Sequence, residues 1–162
     1  MHDAAVCAAP ALREDLLRMF KEDQESLSVR SVHHYTHKIR LKEIISQHGW
    51  PTRSLVGSDG ALTAWIIVQH DDELPWMIDC LRMITRAATS DEARLEDVAY
   101  LTDRILLMEK KLQRYGTQCV PDMDGTVRLA PLEDPENVNE RRRSMGIPEP
   151  VEEYLETMRS RK

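Results

Sequence analysis

Residues 61–69, ALTAWIIVQ, are apolar on every side until the last turn of the helix that their spacing predicts. The run is too short to cross a membrane and too uniformly apolar to lie on a surface, so the rest of the chain must supply elements that enclose it. Ser58 or Asp59 can cap this helix, which is expected over Gly60–His70. Its end is the puzzle. Gln69 and His70 close the run with two polar groups that are costly to bury unpaired. This points to a polar site carried on a central helix.

The surrounding pattern is helical. Pro10 can open a first helix, with Leu12, Leu16, Leu17, Met19 and Phe20 on one side and an end near Leu27. A second is expected from Val32 to Gln47, stopped by Gly49 and Pro51. Pro75 sits in the first turn of a fourth, which fades at Thr89 to Glu92. A fifth carries Val98, Leu101, Ile105, Met108 and Leu112 and is expected to stop at Gly116. Asp124-Gly125 between two short apolar runs is a hairpin signal. Asp134-Pro135-Glu136 reads as a cap, a first-turn proline and an early acid, opening a helix to about Gly146; Glu149 to Arg161 forms the last. The expected fold is therefore mainly α: a single-domain bundle of about six or seven helices over residues 1–162, with one small β-hairpin near residues 118–130 and residues 1–9 disordered. Eight aromatic residues, one of them Phe, leave the core to Leu, Ile, Val, Met and Ala, which suits packed helices.

Charge narrows the partners. With 28 acidic and 22 basic side chains the net charge is −6, so neither nucleic acid nor an anionic membrane is expected as a partner. Cys7, Cys80 and Cys119 are an odd set without metal-binding spacing and read as reduced thiols. The first residues lack a secretion signal, and a cytoplasmic location is expected. No oligomeric state is implied.

Several polar groups can carry chemistry. His48, in the turn HGWP, and His70 titrate near neutrality and can act as general acid and base if they share a pocket; each can equally be a capping or satisfied structural histidine. Tyr115 and Gln118, in RYGTQ, are ligand-orienting groups beside a glycine that lets backbone approach closely. Tyr100 and Arg104 stand one turn apart and can present a phenol and a fork of donors together, although an ion pair accounts for Arg104 as well. His33 and His37 have the spacing of a metal-binding pair, but the acidic third ligand of an HExxH arrangement is missing, so no metal or other cofactor is expected. ERRR, residues 140–143, reads as a solvated helix face, with an arginine able to reach an anionic ligand or a core carboxylate. The GxSxG, P-loop and GxGxxG patterns are absent, which removes serine-hydrolase, P-loop and dinucleotide readings, and Cys80 looks like a small core residue.

The segments His48-Gly49-Trp50-Pro51, Val56-Gly57, Ala64-Trp65, Val68-Gln69-His70, Asp103-Arg104, Tyr115-Gly116-Thr117-Gln118, Asp134-Pro135 and Arg141-Arg142 together resemble a bacterial family, domain-of-unknown-function family 6624. Asp23-Gln24 is similar to the family's early DQ pair. The likeness covers about residues 12–155. It implies a helical fold and one recurring polar set: His48, Gln69, His70, Arg104, Tyr115 and Gln118. It assigns no reaction. This chain departs from the family pattern at His34 and His37, where relatives carry Asp and Asn more often, and at Ser26 to Ser28, where an Arg is usual; these departures point to a different ligand.

The expectation is a small enzyme using His48 and His70 as acid and base on a small polar metabolite, in a specialised biosynthetic pathway, as isomerase, lyase, cyclase or hydrolase. Gln69, Arg104, Tyr115, Gln118, Trp65, Tyr100, Asp23 and Gln24 would bind the substrate. One alternative is a non-catalytic protein that binds or sequesters a small molecule. Another is a helical protein-interaction module, which predicts a large exposed apolar patch.

Overall fold

The computed structural model describes residues 7–25 and 30–160, and side chains within 7–22 and 34–160. Seven helices and one two-stranded antiparallel sheet make the described residues mainly α. None of these helices is long and apolar enough to cross a membrane. The chain divides into two compact units, Met1–Ala93 and Arg94–Lys162.

The first unit holds α1 (Pro10–Glu25), α2 (Arg30–His48), α3 (Arg53–Gln69) and α4 (Leu74–Ala88). The apolar run occupies α3, which packs against α1, α2 and α4, the enclosure its composition demands. Val56, Ala64, Ile67 and Val68 of α3 are buried with Leu16, Leu41, Ile44, Met77 and Ile84 of the other three helices. α3 starts earlier than Gly60, because a first turn from Arg53 is followed by a break at Gly57 (φ 76°, ψ 166°). A Cβ at Gly57 would meet Asp59 Oδ1 at 3.0 Å and Arg13 Nε at 3.2 Å, and those two groups are hydrogen-bonded to each other at 2.8 Å. Glycine is therefore required there both for its positive φ and for space.

Of residues 1–9, the first six lie outside the described residues. Residues 7–9 correct the expectation of disorder: Cys7 is buried, and the amides of Ala8 and Ala9 donate to the carbonyls of Ser54 and Leu55 at 2.9 and 2.8 Å. Those bonds use carbonyls of the extra turn that begins α3, an acceptor that sequence periodicity does not reveal.

The second unit holds α5 (Leu95–Met108), β1 (Cys119–Pro121), β2 (Val127–Leu129), α6 (Val138–Ser144) and α7 (Val151–Ser160). The strands pair Cys119 with Leu129 and Pro121 with Val127 around Asp124-Gly125, as the turn signal predicts. Two helix boundaries differ from expectation. α5 stops at Met108, well before Gly116, since Lys110 turns into the left-handed region (φ 59°) and the amide of Lys111 returns to Leu106 O at 2.8 Å. α6 starts at Val138 because Asp134 binds the Asn137 and Arg141 side chains, at 2.8 and 3.0 Å, where capping was expected.

Candidate functional site

In the first unit the polar residues gather where α3 ends. After Gln69 the chain turns sharply, with His70 N donating to Ile66 O and Asp71 N to Val68 O, both at 3.1 Å. Asp71 is fully buried there. Its carboxylate accepts from Lys38 Nζ at 2.8 Å and from the Glu73 amide at 2.7 Å, and it faces His34 Nε2 at 3.2 Å. Burial by itself pushes the Asp71 carboxyl up. The Lys38 hydrogen bond, the Glu73 amide and the charges of Lys38 and His34 outweigh that and hold it below the usual carboxylate range. Burial likewise pulls Lys38 down, but bonds to Asp71 and Glu73 leave its ammonium above the usual lysine value. Lys38 and Lys42 both stand over the buried Trp76 ring, 5.4 and 5.2 Å from its centre.

Gln69 lies directly before this turn and is 8 % exposed. Its Oε1 is enclosed without a hydrogen-bond donor among the described residues. A buried amide left so loses about 1–3 kcal/mol, a penalty that native proteins rarely carry without a ligand or water to relieve it. Trp65, half-buried, stands one turn earlier on α3, and His70, exposed, follows Gln69 at the helix end. The imidazole of His34 keeps 29 % of its side chain exposed while Asp71 fixes its Nε2 edge.

The expected partner of His70 lies elsewhere. His48 ends α2 and is exposed. Asp71, one residue from His70, is bonded to His34 and Lys38 of that same helix, and His48 stands ten residues beyond Lys38. At 1.5 Å per residue that is about 15 Å along the axis, and lysine side chains in helices lean toward the N-terminus, which widens the gap. The short connection from α2 to α3 explains it: an antiparallel pair puts the end of one helix beside the start of the next. His48 and His70 are therefore not brought together within this unit, and the histidine that shares the His70 end is His34. His37 is buried, with Nε2 3.0 Å from Glu22 Oε2. The side chains of Asp23, Gln24 and His33 lie outside the described residues. Among the described residues no three His, Cys, Asp or Glu side chains gather as metal ligands.

The second unit arranges its polar residues in another way. Asp103 on α5 is fully buried, and its two oxygens accept from the amides of Arg114, Tyr115 and Thr117 at 2.7 to 3.1 Å and from Thr117 Oγ1 at 2.9 Å. Gln113, equally buried, brackets Gln118: its Oε1 accepts from Gln118 N at 2.9 Å and its Nε2 donates to Gln118 O at 3.0 Å. Arg142, fully buried in α6, donates to Tyr115 O, Gly116 O and Glu149 O at 3.0, 3.2 and 2.7 Å. The reading of ERRR as a solvated face is thus corrected at Arg142, whose guanidinium also lies 5.2 Å from the centre of the Tyr154 ring. Arg141 Nε donates to Arg114 O at 2.8 Å and Tyr154 Oη to Thr117 O at 2.7 Å. Every residue from 113 to 118 except the glycine has its amide or side chain engaged, and Gly116 (φ 64°) leaves no room for a Cβ, which would stand 2.6 Å from Val151 Cγ2.

This clamped loop carries two residues singled out from the sequence. Tyr115 and Gln118 are half-buried; Gln118 Nε2 donates to Thr117 Oγ1 at 3.2 Å, and the Tyr115 hydroxyl has no partner among the described residues. Arg104 follows Asp103 on α5 and is half-buried, with its Nε enclosed and without an acceptor. Tyr100, one turn before, packs edge-on against Tyr154 with ring centres 6.4 Å apart, and burial raises its phenol above the usual value. Sequence reasoning missed Lys38, Asp71 and Gln113, and noted His34 only as a departure from the family pattern. An acid two residues after a helix end, with a lysine and a histidine four apart on the preceding helix, was the signal available for Lys38 and Asp71. Gln113 sits in no pattern that distinguishes it.

The family model for a family of unknown function (DUF6624) matches residues 10–161. The chain belongs to that family. No curated protein matches it. No solved structure matches it either.

Proposed function

We propose that this protein binds a small polar molecule where α3 ends and moves a proton on it with imidazole groups. The observation that carries this reading is the buried, unpartnered Gln69 Oε1 two residues before Asp71, whose carboxylate orients His34. An ionised Asp71 accepts, so the proton of neutral His34 resides on Nε2 and Nδ1 is left as a base. When Nδ1 takes a proton, the imidazolium is stabilised by the carboxylate behind it. Lys38 shares that carboxylate and keeps it charged across the neutral range. Gln69 Oε1 accepts from an N–H or O–H of the ligand, which selects a ligand with a donor. His70, exposed one residue on, is the second group able to give or take a proton, so isomerisation, elimination, cyclisation and hydrolysis are the reaction classes served. His48 has no part in this version. Three unpaired cysteines suit a reducing, cytoplasmic setting.

The test starts with thermal shift of the full chain against a panel of polar metabolites, followed by turnover of each hit. A ligand that raises the melting temperature of the wild type and loses that effect in Gln69→Leu is expected. With that ligand, His34→Gln and His70→Gln should retain binding and lose about 10²-fold or more in turnover. Binding without turnover in the wild type, with both histidine variants lowering affinity alone, would make it a sequestering protein. Absence of any hit that depends on Gln69 would remove the site.

A further inference from the structure

The described half-buried arginines of this chain follow one rule with one exception. Arg13 pairs with Asp59, Arg40 with Asp15, Arg53 with Asp91, Arg94 with Asp97 and Arg141 with Asp134, all at 3.0 Å or less. Arg104 has neither an ion pair nor a hydrogen bond among the described residues, although its Nε is shut off from solvent. A guanidinium cannot lose its proton to relieve this, so a charged donor is held partly out of water, its Nε without an acceptor among the described residues. The chain has a surplus of acids, 28 against 22 bases, so an available carboxylate is not what is lacking.

We infer that Arg104 is the anion-recognising group of a ligand site on the second unit, which takes an oxyanion, a carboxylate or a phosphate, through the guanidinium fork. Two features of its surroundings fit this use. Asp103, its neighbour, is wholly engaged by the loop amides of Arg114, Tyr115 and Thr117 and is not available as an internal counter-ion. Those same bonds fix the backbone of Tyr115, whose hydroxyl is a further donor of this unit without a partner among the described residues. A planar donor fork that keeps its charge at every pH matches the two oxygens of an oxyanion, which is the reason for an arginine in this place. The inference rests on the second unit alone and is separate from the proton chemistry at the end of α3.

The experiment uses the full, ¹⁵N-labelled chain and follows arginine Nε–Hε resonances while sodium phosphate or sodium acetate is added, with ionic strength held constant by sodium chloride. One resonance, identified by its loss in Arg104→Lys, should shift and saturate with at least one of the two anions. Saturation by acetate alone assigns a carboxylate ligand and saturation by phosphate alone a phosphate. Arg104→Lys, which keeps the charge and loses the fork, should weaken the anion tenfold or more by thermal shift, whereas Arg143→Gln, on an exposed arginine, should not change it. If no arginine resonance of the wild type shifts and saturates with either anion, the inference is overturned, even if the variant fails to fold. Equal affinity in wild type and a folded Arg104→Lys would do the same. His34→Gln and His70→Gln should leave this titration unchanged, so the two readings fail separately.

Discussion

The end of α3 and the loop from Gln113 to Gln118 use similar residues for opposite ends. In the loop, Asp103, Gln113, Arg141 and Arg142 direct their polar atoms to backbone groups, so that a segment without regular structure has its amides and carbonyls satisfied. At the end of α3 the helix already satisfies the backbone, and the side chains face one another: Lys38 and His34 on Asp71, with Gln69 Oε1 unsatisfied two residues earlier in the chain. The first arrangement makes a frame. The second keeps hydrogen-bonding capacity in reserve, which is what a ligand needs and what stability does not.

Substitutions should separate the two regions by the sign and size of their effects. Asp103→Ala has the largest expected cost, about 4 kcal/mol or more in urea unfolding, because three loop amides lose their acceptor at once. A loss below about 1 kcal/mol would mean that the loop amides find other acceptors and the frame is not one. Gly116→Ala comes next. The added methyl would stand 2.6 Å from Val151 Cγ2 at a positive φ, and a loss of about 2–3 kcal/mol is expected. Gln69→Leu should go the other way, leaving stability unchanged or raising it by about 1 kcal/mol while ligand binding disappears. A destabilisation as large as that of Asp103→Ala would place Gln69 with the frame.

The smallest expected effect is on pH dependence. The Asp71 carboxyl is held below its ordinary value in the folded chain, so its contribution is complete above the unfolded value, about pH 3.9, and is lost as pH falls through the folded one. Lys38 is raised, so its contribution is complete below the unfolded value of about pH 10.4 and is lost as pH rises through the folded one. Urea midpoints of Asp71→Asn should therefore lack the acid-side decline assigned to this carboxylate. An acid limb identical to that of the wild type would show that the Lys38–Asp71 pair does not govern it.

Most helices were legible from spacing and stop signals, because an apolar stripe at helical period and a proline or glycine at its edge act locally. α1, α2 and α4 lie within two residues of their expected bounds wherever both are described. The end of α5 was not legible: Leu112 continues the periodic pattern, but the chain leaves the helix at Lys110 and the side chain is exposed. The pull comes from Asp103, on an earlier turn of the same helix, and from Gln113, whose partners at Gln118 and Ala130 are set by tertiary contact. The site was half legible. Gln69 and His70 stand out because they end an apolar run, whereas His34 and Lys38 acquire meaning only once Asp71 is placed against them.

The letters alone determined that α3 must be central, since a helix without a polar side has nowhere else to go, and that a hairpin follows the fifth helix. Only the tertiary structure decided that Asp71, next to His70, joins α2 at Lys38, about 15 Å along that helix from His48, that Arg142 is buried and that Arg104 has no counter-ion among the described residues. Helical period and turn chemistry are properties of neighbouring residues. Whether a charge finds its opposite depends on elements distant in the chain, and on burial, which sets what an unmet charge costs.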